Sequence, residues 1–187
     1  MRVIAGTARG MRLKAPPGFT VRPTADRVKE ALFSSLGPRI IDAFFIDFYA
    51  GSGAIGIEAL SRGAHHAIFV DNRKNNIQLI RDNLIKTGLH KNSRLILANV
   101  EKAITMLASD NISADLIYLD PPYSFAGISA LLQSIIENKI INEKGMLIVE
   151  HASANRGWIK IFPGAIEKKY GDTCLTFITL QALPAGQ

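Results

Sequence analysis

Along most of the chain, apolar runs alternate with amphipathic stretches. Ala43–Tyr49 (AFFIDFY) has a single charged position and reads as a buried strand. Ala54–Arg62 then reads as a helix closed by Gly63, Ala67–Val70 as a strand, and Arg73–Thr87 as a helix closed by Gly88. The alternation continues with a strand at Arg94–Leu97, a helix at Val100–Ala108, a strand at Asp115–Leu119, a helix at Ile128–Asn138 and a strand at Met146–Glu150. Strands and helices at this spacing predict an α/β fold, a doubly wound, mostly parallel sheet with helices on both faces. The end breaks the pattern. Ala165–Tyr170 and Thr173–Leu180, separated by Gly171-Asp172, read as an antiparallel hairpin. The tail ALPAGQ is expected to fray.

The N-terminal part differs from this body. Gly6, Gly10, Pro16, Pro17 and Gly18 punctuate short strands and turns over residues 1–22. In RPTADRVKEALFSSLG, Thr24 is placed to cap a helix, Asp26 suits its positive end, and Val28, Ala31, Leu32 and Leu36 form an apolar stripe. Gly37-Pro38 ends that helix. The expected division is a basic hairpin-and-helix extension over 1–39 and a single α/β domain over 40–187.

Charge sharpens that division. The formal net charge of the 187 residues is +6. Residues 1–39 carry eight basic side chains (Arg2, Arg9, Arg12, Lys14, Arg22, Arg27, Lys29 and Arg39) against Asp26 and Glu30, which accounts for the whole excess. A neutral body with a basic head points to a polyanion, nucleic acid above all. Lys168-Lys169 reads as a solvated edge. The single cysteine, Cys174, lies in an apolar strand and reads as core. With no apolar leader and no run long enough for a membrane span, a cytoplasmic protein is expected. The four histidines are scattered, and His65-His66 has no second cluster, so no metal is expected. His151 follows Glu150 at a strand end, where a local structural role is expected.

The sharpest chemistry begins in DFYAGSGAIG, Asp47 to Gly56. Gly51, Gly53 and Gly56 spell G-x-G-x-x-G between a strand and a helix. Such a loop brings backbone close to a nucleotide at a helix N-terminus. A pyrophosphate would favour NAD. Asp47 argues the other way, because a carboxylate on the strand repels a pyrophosphate and attracts an ammonium or sulfonium. Asp71, with Asn72 after it, ends the second strand where an acid binds ribose hydroxyls, a feature common to NAD and S-adenosylmethionine. Asn99 and Val100 follow the third strand. Asn99 suits either an adenine edge or a helix cap.

Asp120-Pro121-Pro122-Tyr123 decides between the cofactors. It follows the strand expected beside the first. An exocyclic base amine is a poor nucleophile because its lone pair is delocalised. Acceptors around its N–H bonds favour the tetrahedral nitrogen that methylation requires. The Asp120 carboxylate and the Pro121 carbonyl supply acceptors, Pro121 and Pro122 fix the backbone, and Tyr123 can stack on a flipped base. The cofactor expected is S-adenosylmethionine, with direct in-line methyl transfer.

With DPPY, the blocks IAGTARGMRL, RPTADRVKEALFSSLG, DFYAGSGAIGIEALSRGA, FVDN, VEH and YGDT span nearly the whole chain in order. The chain resembles the RsmD family, guanine-N2 methyltransferases of 16S ribosomal RNA. The resemblance implies a seven-stranded methyltransferase sheet, an N-terminal β-hairpin extension, and action on the small ribosomal subunit or an assembly intermediate, here as a monomer. Asp47, Tyr49, Gly51, Gly53, Asp71, Asn72, Asn99 and Val100 would bind the cofactor. Tyr49, Asp71 and Asn99 depart from residues more usual in the family, which bears on cofactor affinity and not on reaction type. Arg2, Arg9, Arg12, Lys14, Arg22 and Arg27 would contact RNA. Two other readings are a DNA amino-methyltransferase acting on adenine N6 or cytosine N4, and a non-catalytic RNA-binding assembly factor.

If the basic head is a separate clamp, Arg9→Glu or Arg12→Glu weakens RNA binding and leaves S-adenosylmethionine binding intact. The slope of log affinity against log salt should fall by about one for each phosphate left without its arginine. Equal loss of both bindings, or of neither, would count against a separate clamp.

Overall fold

The structure, a computed structural model, describes residues 1–16, 23–122, 125 and 127–180, with residues 23–25 described in their backbone only. Among the described residues five helices pack on one seven-stranded sheet: α1 (Pro23–Leu36), α2 (Ala54–Ser61), α3 (Lys74–Thr87), α4 (Val100–Ser109) and α5 (Ile128–Glu137). The strands are β1 (Phe44–Phe48), β2 (His66–Asp71), β3 (Ser93–Leu97), β4 (Ala114–Leu119), β5 (Ile141–Ala152), β6 (Ile166–Tyr170) and β7 (Thr173–Thr179). Their order is β3-β2-β1-β4-β5-β7-β6. The first five run parallel, and β7 pairs antiparallel with both β5 and β6. Among the described residues no helix is long and apolar enough to cross a membrane.

Because successive strand residues face opposite ways, the sheet divides the core in two. Phe45, Phe69, Leu116, Tyr118, Ile148 and Phe177 face α1, α2 and α3. Ile46, Val70, Ile117, Leu147 and Ile178 face α4, α5 and the 3-10 turn Gly157–Ile161, which adds Trp158. Trp158 and Phe162 thus cover a sheet face, and Cys174 is core as expected.

Most boundaries differ from the sequence reading by a residue or two, and three of the differences are instructive. The first strand stops at Phe48, because Tyr49 turns to φ 61°. β5 begins at Ile141, five residues before Met146. Polar Asn142, Glu143 and Lys144 and a glycine hide that extension, and Asn142 secures it by donating to Asp115 at 2.7 Å. Helix α1 starts at Pro23, which places Thr24 in its first turn and not at the cap. Arg22, Pro17, Gly18, Tyr123 and the tail ALPAGQ lie outside the described residues.

The N-terminal segment is packed onto the body by buried polar contacts. Residues Arg2 and Arg12 pair in one antiparallel bridge. Val3, Ala8 and Leu13 enter the α1–α3 core, while Arg2, Arg9 and Arg12 stay exposed. The fully buried carboxylate of Glu58 in α2 accepts from the backbone N–H of Ile4 at 2.8 Å and of Ala5 at 2.9 Å. It also pairs with Lys29 of α1 at 3.2 Å and with Arg62 at 2.8 Å. Lys29 is itself buried and donates to the Arg2 carbonyl at 2.5 Å. Lys29, counted in the basic head from sequence, is therefore an internal counter-ion. The end of α2 completes the contact: Thr7 donates to the Ser61 carbonyl at 2.8 Å and Ala8 to Ser61 Oγ at 3.0 Å. Gly6 lies so close that an added Cβ would sit 1.6 Å from the Ser61 carbonyl oxygen.

Removing one partner of a buried ion pair strands the other, at a cost of about 3–5 kcal/mol. Glu58→Ala should destabilise the protein by roughly that amount in urea unfolding, and Gly6→Ala should expose the N-terminal segment to protease. A loss below about 1 kcal/mol for Glu58→Ala would mean that the segment docks by apolar contact alone.

Candidate active site

Connections from β1 and β4 leave in opposite directions, since β2 lies on one side of β1 and β4 on the other. Ligands in open α/β sheets bind beyond the strand ends at such a switch. The glycine loop and DPPY both sit there, following β1 and β4.

The glycines divide their labour. Gly51 (φ 57°) and Gly53 (φ 77°) take left-handed conformations, and Gly53 caps α2. An added Cβ on Gly51 would meet only the Tyr49 carbonyl at 3.9 Å, so the loop surface there is open. Gly56 has another task. A Cβ there would come within 2.3 Å of the Phe69 ring, so this glycine lets helix and sheet pack closely.

Two buried acids brace the loop. Asp47 accepts from the Gly56 N–H at 2.9 Å. Burial pushes its carboxyl up to about 7, against the pull of the Gly56 hydrogen bond and with help from the charge of Asp71. Asp71 accepts from the Gly51 N–H at 2.9 Å, the Arg73 N–H at 2.8 Å and the Asn76 amide at 3.0 Å. It thereby ties the end of β2 to the loop, with exposed Asn72 beside it. Asn99 is exposed and accepts from the Lys102 N–H at 3.0 Å, so it caps α4, and the Val100 side chain is core.

At the end of β4, Asp120 is exposed, Pro121 buried and Pro122 exposed. The Phe125 N–H donates to the Pro122 carbonyl at 2.8 Å, closing a turn. Phe125, which sequence reasoning missed, lies 6.4 Å from the Tyr49 ring and accepts through its carbonyl from Asn155 at 3.3 Å. Phe125 thus lies between the glycine loop and the segment after β5. Burial, and then the charge of Glu101, pushes the Tyr49 hydroxyl up to about 12, so it remains a neutral donor.

A second missed pair lies beside Asp120. Buried Tyr118 donates its hydroxyl to Glu150 at the end of β5. Desolvation, then the charges of Glu150 and Asp47, raise the Asp120 carboxyl well above its ordinary value. Asp120 is open to water over much of its surface, so solvent damps the size of that rise, and its direction rests on the two acidic neighbours. Desolvation raises Glu150 as well, and the Tyr118 hydrogen bond works against it. The signal for this pair was YL-DPPY and VEH, whose strands had to be placed side by side before the contact could be seen.

His151 points to the opposite face. It is buried, bonded to Thr176 Oγ1 at 2.8 Å, and packed edge-on against Trp158 at 5.2 Å, a structural setting. The N-terminal segment, by contrast, reaches the site. Ser52 donates to Met1 Sδ at 3.3 Å, and buried Asn83 donates to the carbonyls of Ser52 and Lys14, both at 3.0 Å. Arg2, Arg9, Arg12 and Arg27 are exposed, and the Lys14 ammonium pairs with Asp82 at 2.9 Å on the surface. A surface hollow of about 330 Å³, lined by Arg39, Asp42, Asp115 and Lys144, lies at the other end of the strands and contains none of these groups.

Comparison with known proteins agrees with this geometry. Residues 1–179 match the family model described as conserved hypothetical protein 95. Ribosomal RNA small subunit methyltransferase D of Escherichia coli is 34% identical over 157 residues, 83% of this chain and 76% of its own. The chain belongs to the RsmD family. Another relative, putative rRNA methyltransferase YlbH of Bacillus subtilis, is 41% identical over 81% of this chain and 82% of its own. Among solved structures, a putative methyltransferase from Escherichia coli superposes with a TM-score of 0.82 at 30% identity, covering 98% of this chain and 99% of that one. A putative methyltransferase complexed with SAH shares the fold with a TM-score of 0.71 at 15% identity, over 85% of this chain and 50% of its own. The fold is also shared, at 16% identity and a TM-score of 0.70, with a putative SAM-dependent methyltransferase from Streptococcus mutans. At the switch point the Gly51 surface is open, and the buried acids Asp47 and Asp71 both bond to backbone of the glycine loop and helix α2.

Asp47 provides a pH test. Its folded-state pKa lies above the ordinary value of 3.8, so the destabilisation this one group causes is absent below about pH 4 and grows as pH rises towards 7. Asp47→Asn keeps an acceptor for Gly56 without the charge. The ligand-free variant should therefore exceed wild type in stability at pH 7–8 by a few kcal/mol, since each pH unit between the folded and unfolded pKa is worth roughly 1.4 kcal/mol. That advantage should close towards pH 4, while S-adenosylmethionine binding weakens. A constant difference across pH, measured by urea unfolding, would count against a strained Asp47.

Proposed function

We propose that this protein methylates the exocyclic N2 amine of a guanine in 16S ribosomal RNA, within the small subunit or its assembly intermediate, as a cytoplasmic monomer. The observation that carries the reading is Asp120, set beside the glycine loop across the sheet's switch point, in a chain whose relatives are named as ribosomal RNA methyltransferases.

When bound, S-adenosylmethionine supplies an electrophilic methyl group on a positively charged sulfur. Gly51 and Gly53 allow its close approach, Asp47 favours its cationic end, and Asp71 with Asn72 receives the ribose. Tyr49 borders the same site. The cap at Asn99 uses its Oδ1, which leaves its amide N–H to meet the adenine edge, with the backbone of Val100 beside it. Asp120 and the Pro121 carbonyl accept from the guanine amine and favour a tetrahedral nitrogen, Pro122 holds the turn, and Tyr123 stacks on the flipped base.

In this reading residues 1–39 are the RNA-contacting extension of the 40–187 methyltransferase domain. Arg2 and Arg12 stand opposite each other in the bridge, where like charges repel, and a phosphate between them relieves that repulsion. Arg9, Lys14 and Arg27 are exposed as well, and Arg22, outside the described residues, is a further proposed contact.

The test is transfer from labelled S-adenosylmethionine to small subunits lacking the modification, with the product nucleoside identified by mass spectrometry. Wild type should yield N2-methylguanosine, and Asp120→Ala should be slower by on the order of a hundredfold or more. Product only on duplex DNA, as N6-methyladenine or N4-methylcytosine, would redirect the assignment. Silence on both substrates with RNA binding retained would favour an assembly factor.

A further inference from the structure

We infer that Glu150 is a positioning residue of the transfer reaction: held by the Tyr118 hydroxyl, its carboxylate makes the neighbouring Asp120 a stronger acceptor for the proton the methylated amine must lose. This rests on the reading of Asp120 given above. The sheet register carries it. Leu119 pairs with Val149 in parallel β4 and β5, so Asp120 and Glu150 come one step beyond, at adjacent strand ends. Both follow the alternation of Tyr118 and Ile148, whose side chains face α1–α3. Tyr118 in turn stands opposite Asp47 of β1.

The groups around Glu150 leave its charge directed at Asp120. On β4 it meets the Tyr118 hydroxyl, and across on β7 it meets apolar Leu175. Lys168 of β6, next in that row, is bonded to Ser35 Oγ of α1 at 2.9 Å. Asp47 is the remaining acid near Asp120. Among the described residues neither Asp120 nor Glu150 joins an ion pair. Two carboxylates this close favour binding of one proton between them.

That preference has a use. The amine nitrogen gives its lone pair to the methyl carbon as the carbon–sulfur bond breaks and sulfur keeps that pair. The nitrogen becomes cationic and releases one proton. Asp120 takes it, and the neighbouring negative charge of Glu150 stabilises the protonated acid until water removes the proton. The ionised Glu150 therefore acts through Asp120 and touches no substrate.

The test separates this pair from the reaction. Protein carrying carbon-13 in its Asp and Glu carboxyls is titrated by NMR, with Asp120 assigned from Asp120→Asn. In Glu150→Gln, which retains an acceptor for Tyr118, the Asp120 midpoint should fall by about one pH unit or more, because a negative neighbour has been removed. In Tyr118→Phe the Glu150 midpoint should rise. The acid limb of kcat should move to lower pH in Glu150→Gln, with plateau kcat down about tenfold and KM for RNA unchanged. Unmoved midpoints in both variants would overturn the inference, even in an active enzyme. Shifted midpoints with an unchanged kcat profile would overturn the catalytic use of the pair. If Glu150→Gln fails to fold, Tyr118→Phe decides by the same two readouts. Wild type inactive on ribosomal RNA would refute the substrate assignment, while the titration still judges the pair.

Discussion

A buried carboxylate must be paired or it will not stay charged, and Glu58 satisfies that demand with four partners drawn from three parts of the chain. Two are backbone N–H groups of the N-terminal segment, one is Lys29 from α1, and one is Arg62 just after α2. Their arrangement fixes the segment and α1 against the body. Helix α2 has eight residues, roughly 12 Å at 1.5 Å per residue. The glycine loop enters one end of that helix, and the N-terminal segment is fastened along it and at its other end. One short rigid element therefore sets the distance between the cofactor loop and the arginine-bearing surface.

A different constraint governs the crevice. Asp47, Asp120 and Glu150 gather near the ends of three adjacent parallel strands: desolvation raises Asp47 and Glu150, and the charges of Glu150 and Asp47 act on exposed Asp120. Such a cluster costs stability in the ligand-free protein. In the proposed reaction the same field favours a cationic sulfur and an amine about to become cationic, so the cost falls where charge changes.

Much of this was legible in the sequence because it is local. Apolar runs located the strands, Gly63 and Gly88 the helix ends, and Gly171-Asp172 the final hairpin. DFYAGSG and Asp120-Pro121-Pro122 were found at the strand ends where they were expected. What stayed hidden depends on partners far apart in the chain. Lys29 looked like one more surface cation, yet its counter-ion is Glu58, in the apolar helix α2. Gly56 looked like a cofactor glycine, and only the Phe69 ring against it reveals its packing role. Tyr118 and Glu150, 32 residues apart, meet because β4 and β5 are neighbours. Asn99 left two readings open, and the Lys102 N–H shows the cap.

The reach of the Glu58 contacts has a consequence for synthesis on the ribosome. Ile4 and Ala5 are made first, but the acceptor that holds them lies 54 and 53 residues later. Until α2 has left the exit tunnel, no carboxylate exists to receive them and no counter-ion exists for Lys29. The arginine-rich head therefore has no native anchor during early translation, and its docking waits on α2.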